Sequence, residues 1–231
     1  MANSGSVALA LLFVAVSVFS LARRLRRKAT HTAHGRCVLI TGCDSGFGQG
    51  LARAATDAGY TVVAACFTKA GAHSLKDTAA ATVVADLTTA EGIAKVAEAT
   101  KASSGEGGLY ALVNNAGLCL PGLCEWLPMR AYELSMSLMF HAPVALIYEL
   151  LPSLKAARGR VINVTSVDGF LPLPNTAAYT SAKHALEAFS DILRCEMLPW
   201  GVQVSPLHPE TRTPLLCTLP IPCQAVSMRS L

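Results

Sequence analysis

The chain has 231 residues, 52% of them hydrophobic and only 15% charged, with 19 Lys+Arg against 15 Asp+Glu and a formal net charge of +4. That length holds one globular domain plus an appendage, and the composition is apolar for a soluble protein. Five of the 19 basic residues lie in Arg23–Lys28, so the remaining 14 basic side chains meet 15 acidic ones; a near-neutral domain has no electrostatic footprint for nucleic acid.

From Ser4 to Ala22 no side chain is charged, and Arg23-Arg24-Leu25-Arg26-Arg27-Lys28 comes directly after. About 19 uncharged residues come close to the ~20 that a spanning helix requires. A cleaved signal peptide carries its positive charge before the apolar run and a small-residue cleavage site after it; here the order is reversed. The expectation is a retained N-terminal transmembrane helix, residues 1–28 with the basic flank, holding the rest of the chain on the cytoplasmic side. An interfacial or cleaved segment is the alternative. Residues 29–36, with His31 and His34, read as a polar linker, and two histidines are no metal site.

Cys37-Val-Leu-Ile-Thr41 has the pattern of a buried strand, followed by Gly42-Cys-Asp-Ser-Gly46-Phe-Gly48 and a helix over Gln49–Ala58 closed by Gly59. Strands are predicted at Thr61–Phe67 and Thr82–Asp86, with room between them for only a brief helix. A helix over Ala90–Ser103, a glycine-rich turn at Ser104–Gly108 and a strand at Ala111–Asn114 come next. Pro128 opens a long helix to Ala157, with a bend expected at Pro143. A strand at Arg160–Thr165, a helix at Ala178–Leu198 and a strand at Val202–Ser205 complete the pattern. Apolar strands alternating with helices indicate a parallel sheet covered on both faces. The eight cysteines form no C-x-x-C pair and several fall in apolar runs, so buried free thiols are expected rather than disulfides or a metal site.

A strand, Gly42-x-x-x-Gly46-x-Gly48 and a helix make a turn whose backbone can approach a pyrophosphate, although the spacing departs from G-x-G-x-x-G and an ordinary glycine turn would read the same. Asp86 can hydrogen-bond an adenine or cap the next turn. Asn114-Asn115-Ala116-Gly117 ends a strand at the same sheet edge, where its small residues let a ligand lie against the backbone and one asparagine can tie neighbouring strands. Tyr179 and Lys183 are four apart and share one helix face. A phenol ordinarily ionises near pH ~10, and a nearby ammonium favours its phenolate. Such a tyrosine can exchange a proton with an alcohol or carbonyl as hydride moves, and Ser166 can hydrogen-bond the same oxygen. Y-x-x-x-K alone is also an ordinary helix pair.

Taken in order, Thr41-Gly-x-x-x-Gly46-x-Gly48, Asp86, Asn114-Asn115-Ala116-Gly117, Ser166 and Tyr179-x-x-x-Lys183 resemble the short-chain dehydrogenase/reductase family over roughly residues 36–213. T-G-C-D-S-G-F-G, G-L-Y-A-L-V-N-N-A-G, R-G-R-V-I-N-V-T-S and L-P-W-G-V-Q-V-S resemble its membrane-anchored retinol, hydroxysteroid and 3-hydroxybutyrate dehydrogenases. The Leu198–Ser205 segment is most similar to 11-beta-hydroxysteroid type 2 enzymes. The resemblance implies an α/β fold, a Rossmann-type doubly wound parallel sheet of about six strands, over 37–213. It implies Tyr179 as acid/base, Lys183 as the residue that lowers its pKa and holds the nicotinamide ribose, and Ser166 as the residue that steadies the substrate oxygen. The cofactor site would take Thr41, Gly42, Ser45, Gly46, Phe47, Gly48, Asp86, Leu87, Asn115, Ala116, Gly117 and Pro209 besides Tyr179 and Lys183.

Three departures stand out. The family's fourth catalytic residue, an asparagine, aligns with Met139, whose thioether cannot anchor a relay water. The family's P-G after the sixth strand is Pro209-Glu210. Pro214–Leu231 reads as an irregular tail where the family continues into a seventh strand and a substrate lid. The second strand ends in Cys66-Phe67-Thr68-Lys69 with no acid in reach; Lys69 could meet a 2′-phosphate, yet similar enzymes commonly use NAD without that acid. The reading is therefore an NAD-dependent oxidoreductase (NADP being the other candidate) acting on a lipophilic alcohol or ketone of the steroid or retinoid class. It would sit in the endoplasmic reticulum membrane with its domain facing the cytoplasm, and the helices at 128–157 and 178–198 would form a homodimer face. The alternative is a pseudo-enzyme that binds nucleotide or partners without turnover.

Overall fold

A computed structural model describes residues 33–209; the predicted anchor, Glu210 and the tail lie outside the described residues. Six strands alternate with helices: β1 (Cys37–Thr41), α1 (Gly46–Asp57), β2 (Thr61–Cys66), α2 (Lys69–Ser74), β3 (Ala81–Val84), α3 (Ala90–Ser104), β4 (Leu109–Asn114), α4 (Met129–Ala157), β5 (Arg160–Val164), α5 (Ala177–Met197) and β6 (Gln203–Leu207). Every strand pair is parallel, and the order is β3-β2-β1-β4-β5-β6. The chain therefore winds outward from β1 to β3, crosses back, and winds outward again from β4 to β6. The reversal leaves a crevice beyond the carboxyl ends of β1 and β4, the place where open α/β sheets bind ligands.

The apolar runs of β1 and β4 are buried along their whole length because both sheet faces are covered there. Leu39, Val63, Leu112 and Val161 pack with Val96, Leu146, Leu150 and Leu193 on one face. Val38, Ile40, Val62 and Val113 pack with Ala52 and Leu75 on the other. β5 and β6 differ from the expected double cover. Val161, Asn163 and Val204 are buried, whereas Arg160, Ile162 and Val164 are only half-buried and Gln203, Ser205 and Leu207 are exposed. Among the described residues no helix lies on that side of the last two strands. α4 is long and apolar enough to cross a membrane. Its buried Leu146, Ile147, Leu150 and Leu154 face the sheet, however, which accounts for its hydrophobicity as that of a core helix.

Two local details depart from the sequence reading. α1 begins at Gly46 rather than Gln49, so the second and third glycines belong to its first turn. The irregularity expected at Pro143 appears as a π turn over Ser137–His141. Proline offers no N–H to the preceding turn and crowds the carbonyl four residues back, here that of Met139, and a π turn absorbs the misfit. Of the six described cysteines, Cys37, Cys43 and Cys66 are buried free thiols as expected, but Cys119, Cys124 and Cys195 are exposed.

Candidate active site

Close approach of β1 and β4 builds the floor of the site. Gly42 has φ +69°, and a Cβ there would fall 2.7 Å from Ala116 Cα, so the turn tolerates no side chain. At Gly48 a Cβ would fall 2.2 Å from the Gly42 carbonyl oxygen. Gly46, at φ +60°, faces open space. Ser45 precedes α1 in extended conformation without a side-chain cap, which leaves the first-turn amides of α1 to other acceptors.

Thr41 and Asn115 hold this floor together. The Thr41 hydroxyl accepts from the backbone N–H of Asn115 and of Ala116, both at 3.0 Å. The Asn115 side-chain amide donates to the Thr41 carbonyl at 2.9 Å and to the Gly42 carbonyl at 3.2 Å. Asn114 ties strands instead: its amide donates to Asn163 Oδ1 at 2.8 Å, and Asn163 donates in turn to Ser190 Oγ at 2.8 Å.

A cavity of about 460 Å³ opens over this floor. Of the residues the motifs singled out, Gly42, Asp86, Leu87, Ala116 and Gly117 line it, and Thr41, Gly46, Gly48 and Asn115 do not. Asp86 also holds its own turn, with Oδ1 accepting from the backbone N–H and the hydroxyl of Thr88. The sequence reading missed one wall. Asp44, inside the glycine loop, reaches the end of β2, where Oδ2 accepts from Phe67 N at 2.8 Å and Oδ1 from Thr68 N at 2.8 Å and Thr68 Oγ1 at 2.7 Å. The expectation of no acid in reach of that strand end is therefore corrected. The acid arrives across 23 residues of sequence, and no local pattern announces such a contact.

Beside the cavity lies a second cluster. Lys183 is 4% exposed, and its Nζ donates to the Val164 carbonyl at 2.7 Å and lies 5.5 Å from the centre of the Tyr179 ring. Burial lowers the Lys183 pKa to about 8, against the opposing pull of Glu187 one turn on. Ser166 starts a short turn in which its Oγ accepts from Asp168 N at 3.2 Å. Met139 is fully buried in the π turn. A Cβ built on Gly117 would stand 3.5 Å from Met139 Sδ and 3.7 Å from Lys183 Nζ, so Gly117 joins this corner to the cavity. Pro209 lies two residues past β6, and Ser45, Phe47 and Pro209 are not on the cavity wall. Glu187 Oε1 meets His208 Nε2 at 2.5 Å behind the Ser166 turn, a pairing that the sequence did not suggest.

An open parallel sheet with a glycine-walled cavity at its switch point, and beside it a half-buried Tyr179 with a buried Lys183, defines a dinucleotide-dependent type of site. The pattern of the short chain dehydrogenase family matches residues 36–216, and the chain belongs to that family. It is 41% identical over 196 residues to retinol dehydrogenase 5 of Mus musculus, covering 83% of this chain and 61% of that one. To 17-beta-hydroxysteroid dehydrogenase type 6 of Bos taurus it is 37% identical over 203 residues, covering 86% and 64%. The chain thus spans somewhat under two thirds of the length of these relatives. A short-chain dehydrogenase of Streptomyces avermitilis superimposes with TM-score 0.71 at 33% identity, over 78% of this chain and 68% of the other. A protein of Beutenbergia cavernae solved with NADP at low occupancy gives 0.69 at 30% identity, over 77% and 72%.

Proposed function

We propose that the chain is an oxidoreductase that interconverts an alcohol, secondary or allylic, and its carbonyl on a lipophilic substrate of the retinoid or steroid class, with NAD(H) as the hydride partner. The observation that carries this reading is the junction at Gly117, where the cavity and the Tyr179–Lys183 corner share one wall. The cavity fits a nicotinamide dinucleotide: Gly42 and Gly48 leave no room for side chains, Gly46 leaves the loop backbone open, and α1 starts without a side-chain cap.

When bound, the dinucleotide supplies the hydride donor or acceptor. Tyr179 exchanges the proton of the substrate oxygen, and the Lys183 ammonium favours its phenolate form. Ser166 orients the same oxygen through its hydroxyl proton. Phe170, Leu171 and Leu173, between Ser166 and α5, expose apolar surface beside this corner, which supports a lipophilic substrate. Absorbance of reduced nicotinamide, followed with purified protein and a panel of retinols, hydroxysteroids and short hydroxy acids, tests the assignment. No turnover with any of them, together with no dinucleotide binding, overturns it.

Met139 favours a second reading, binding without turnover, since a buried thioether beside Lys183 holds no relay water. Met139→Asn distinguishes the two: a several-fold gain in a measurable wild-type rate fits an enzyme slowed at its proton relay, whereas turnover only in the variant fits the non-enzyme. Residues 4–22 are proposed as the membrane anchor of a domain at 37–213 that faces the cytoplasm from the endoplasmic reticulum. Retention through alkaline carbonate washing, and digestion of the domain by protease added to intact microsomes, are the expected results. Exposed Tyr148 on α4 and Ile192 on α5 fit a homodimer across these helices.

A further inference from the structure

We propose that Asp44, carried by the glycine loop and not by the second strand, is the residue that admits NAD(H) and excludes NADP(H); this rests on the nucleotide-binding reading of the cavity. In dinucleotide-binding folds, an acid near the end of the second strand takes the adenosine ribose hydroxyls. Here that strand end is Phe67-Thr68, and the carboxylate hydrogen-bonded to both of their backbone N–H groups is Asp44. The placement is enforced from three sides. The Thr68 hydroxyl donates to the same Oδ1, and Gly71 lets α2 close on the carboxylate, since a Cβ there would fall 2.5 Å from Oδ1. A carboxylate offers about four lone-pair sites, and three are taken by these donors, which leaves acceptor capacity toward the cavity that Asp44 lines.

The charge on the wall points the same way. Among the described residues lining the cavity, the charged ones are Asp44 and Asp86, both acids, and no lysine or arginine is present. Lys69, the basic residue next in sequence, is exposed in the first turn of α2 and is not on the wall. A 2′-phosphate bears about −1.5 to −2 charge at neutral pH and would meet a carboxylate where it needs a cation.

Calorimetric titration of the full-length chain in detergent with NAD+ and with NADP+ tests this without any substrate. The wild type should bind NAD+ at least about tenfold more tightly, and Asp44→Asn should bring that ratio close to one. Because Asp44→Asn removes acceptors that hold the strand end, thermal unfolding is recorded on the same samples. Phe67→Arg provides a second route: the Phe67 side chain is 66% exposed and only its backbone N–H bonds Asp44, so a cation is added beside the carboxylate with that bond kept. It too should collapse the ratio. A wild type that binds NADP+ as tightly as NAD+, or an unchanged ratio in a normally folded Asp44→Asn, overturns the inference. If Asp44→Asn does not fold, an unchanged ratio in Phe67→Arg overturns it. A wild type that binds neither dinucleotide overturns the nucleotide reading itself.

Discussion

The two sides of the candidate site are made of different material. The cavity floor is backbone brought together by residues that have almost no side chain: Gly42 against Ala116, and Gly48 against Gly42. The reaction corner is made of long side chains, Lys183 and Tyr179 from α5 with Met139 from α4, held by a hydrogen bond to Val164 and by burial. A site built from backbone fails sterically when altered, and the fold fails with it. A site built from side chains can lose its chemistry while the fold and the ligand cavity stay intact. Variants on the two sides should therefore separate binding and stability from turnover.

Tyr179→Phe should have the largest effect. Loss of the proton-transferring hydroxyl should reduce turnover by about 10²–10⁴-fold, with dinucleotide affinity and melting temperature close to wild type; a near-normal rate would break the division of labour. Gly42→Ala should act in the opposite way. Left-handed backbone alone costs a residue with a Cβ about 1–2 kcal/mol, and the 2.7 Å approach to Ala116 adds to that. The melting temperature should fall by at least about 2–8 °C, and dinucleotide binding should weaken in calorimetry. Asn163→Ala probes the seam between the two sides. It leaves the Asn114 amide and the Ser190 hydroxyl short of a buried partner, for a loss of about 1–3 kcal/mol in denaturant unfolding, with the NAD+ affinity of the folded fraction unchanged. The smallest effect is the pH response of the corner. With the Lys183 pKa lowered to about 8, its ammonium is present below that pH and lost as pH rises through it. A rate that depends on this charge should fall by about half between pH 7 and 8. A profile that stays flat from pH 7 to 9 would show that the charge of Lys183 is not used.

Much of this molecule is legible in short-range pattern. A glycine turn after an apolar strand, a Tyr and a Lys four apart on a helix, and strands alternating with helices are all relations between neighbours in sequence. Backbone geometry converts those spacings directly into shared faces and turns. Three contacts were beyond that range. Thr41 meets Asn115 across 74 residues, Asn114 meets Asn163 across 49, and Asp44 meets Phe67 across 23. Each depends on which strands become neighbours and in what register, and strand order is decided by packing of the whole sheet rather than by any segment of it. The half-bare β5 and β6 have the same origin: Ile162 and Val164 are apolar yet only half-buried, because burial is a property of what packs against a strand. So a glycine loop and a Tyr-Lys pair can be read from neighbouring residues alone. That an aspartate from the loop stands at the end of the second strand follows from the folded chain, because a carboxylate finds its donors through space and not along the sequence.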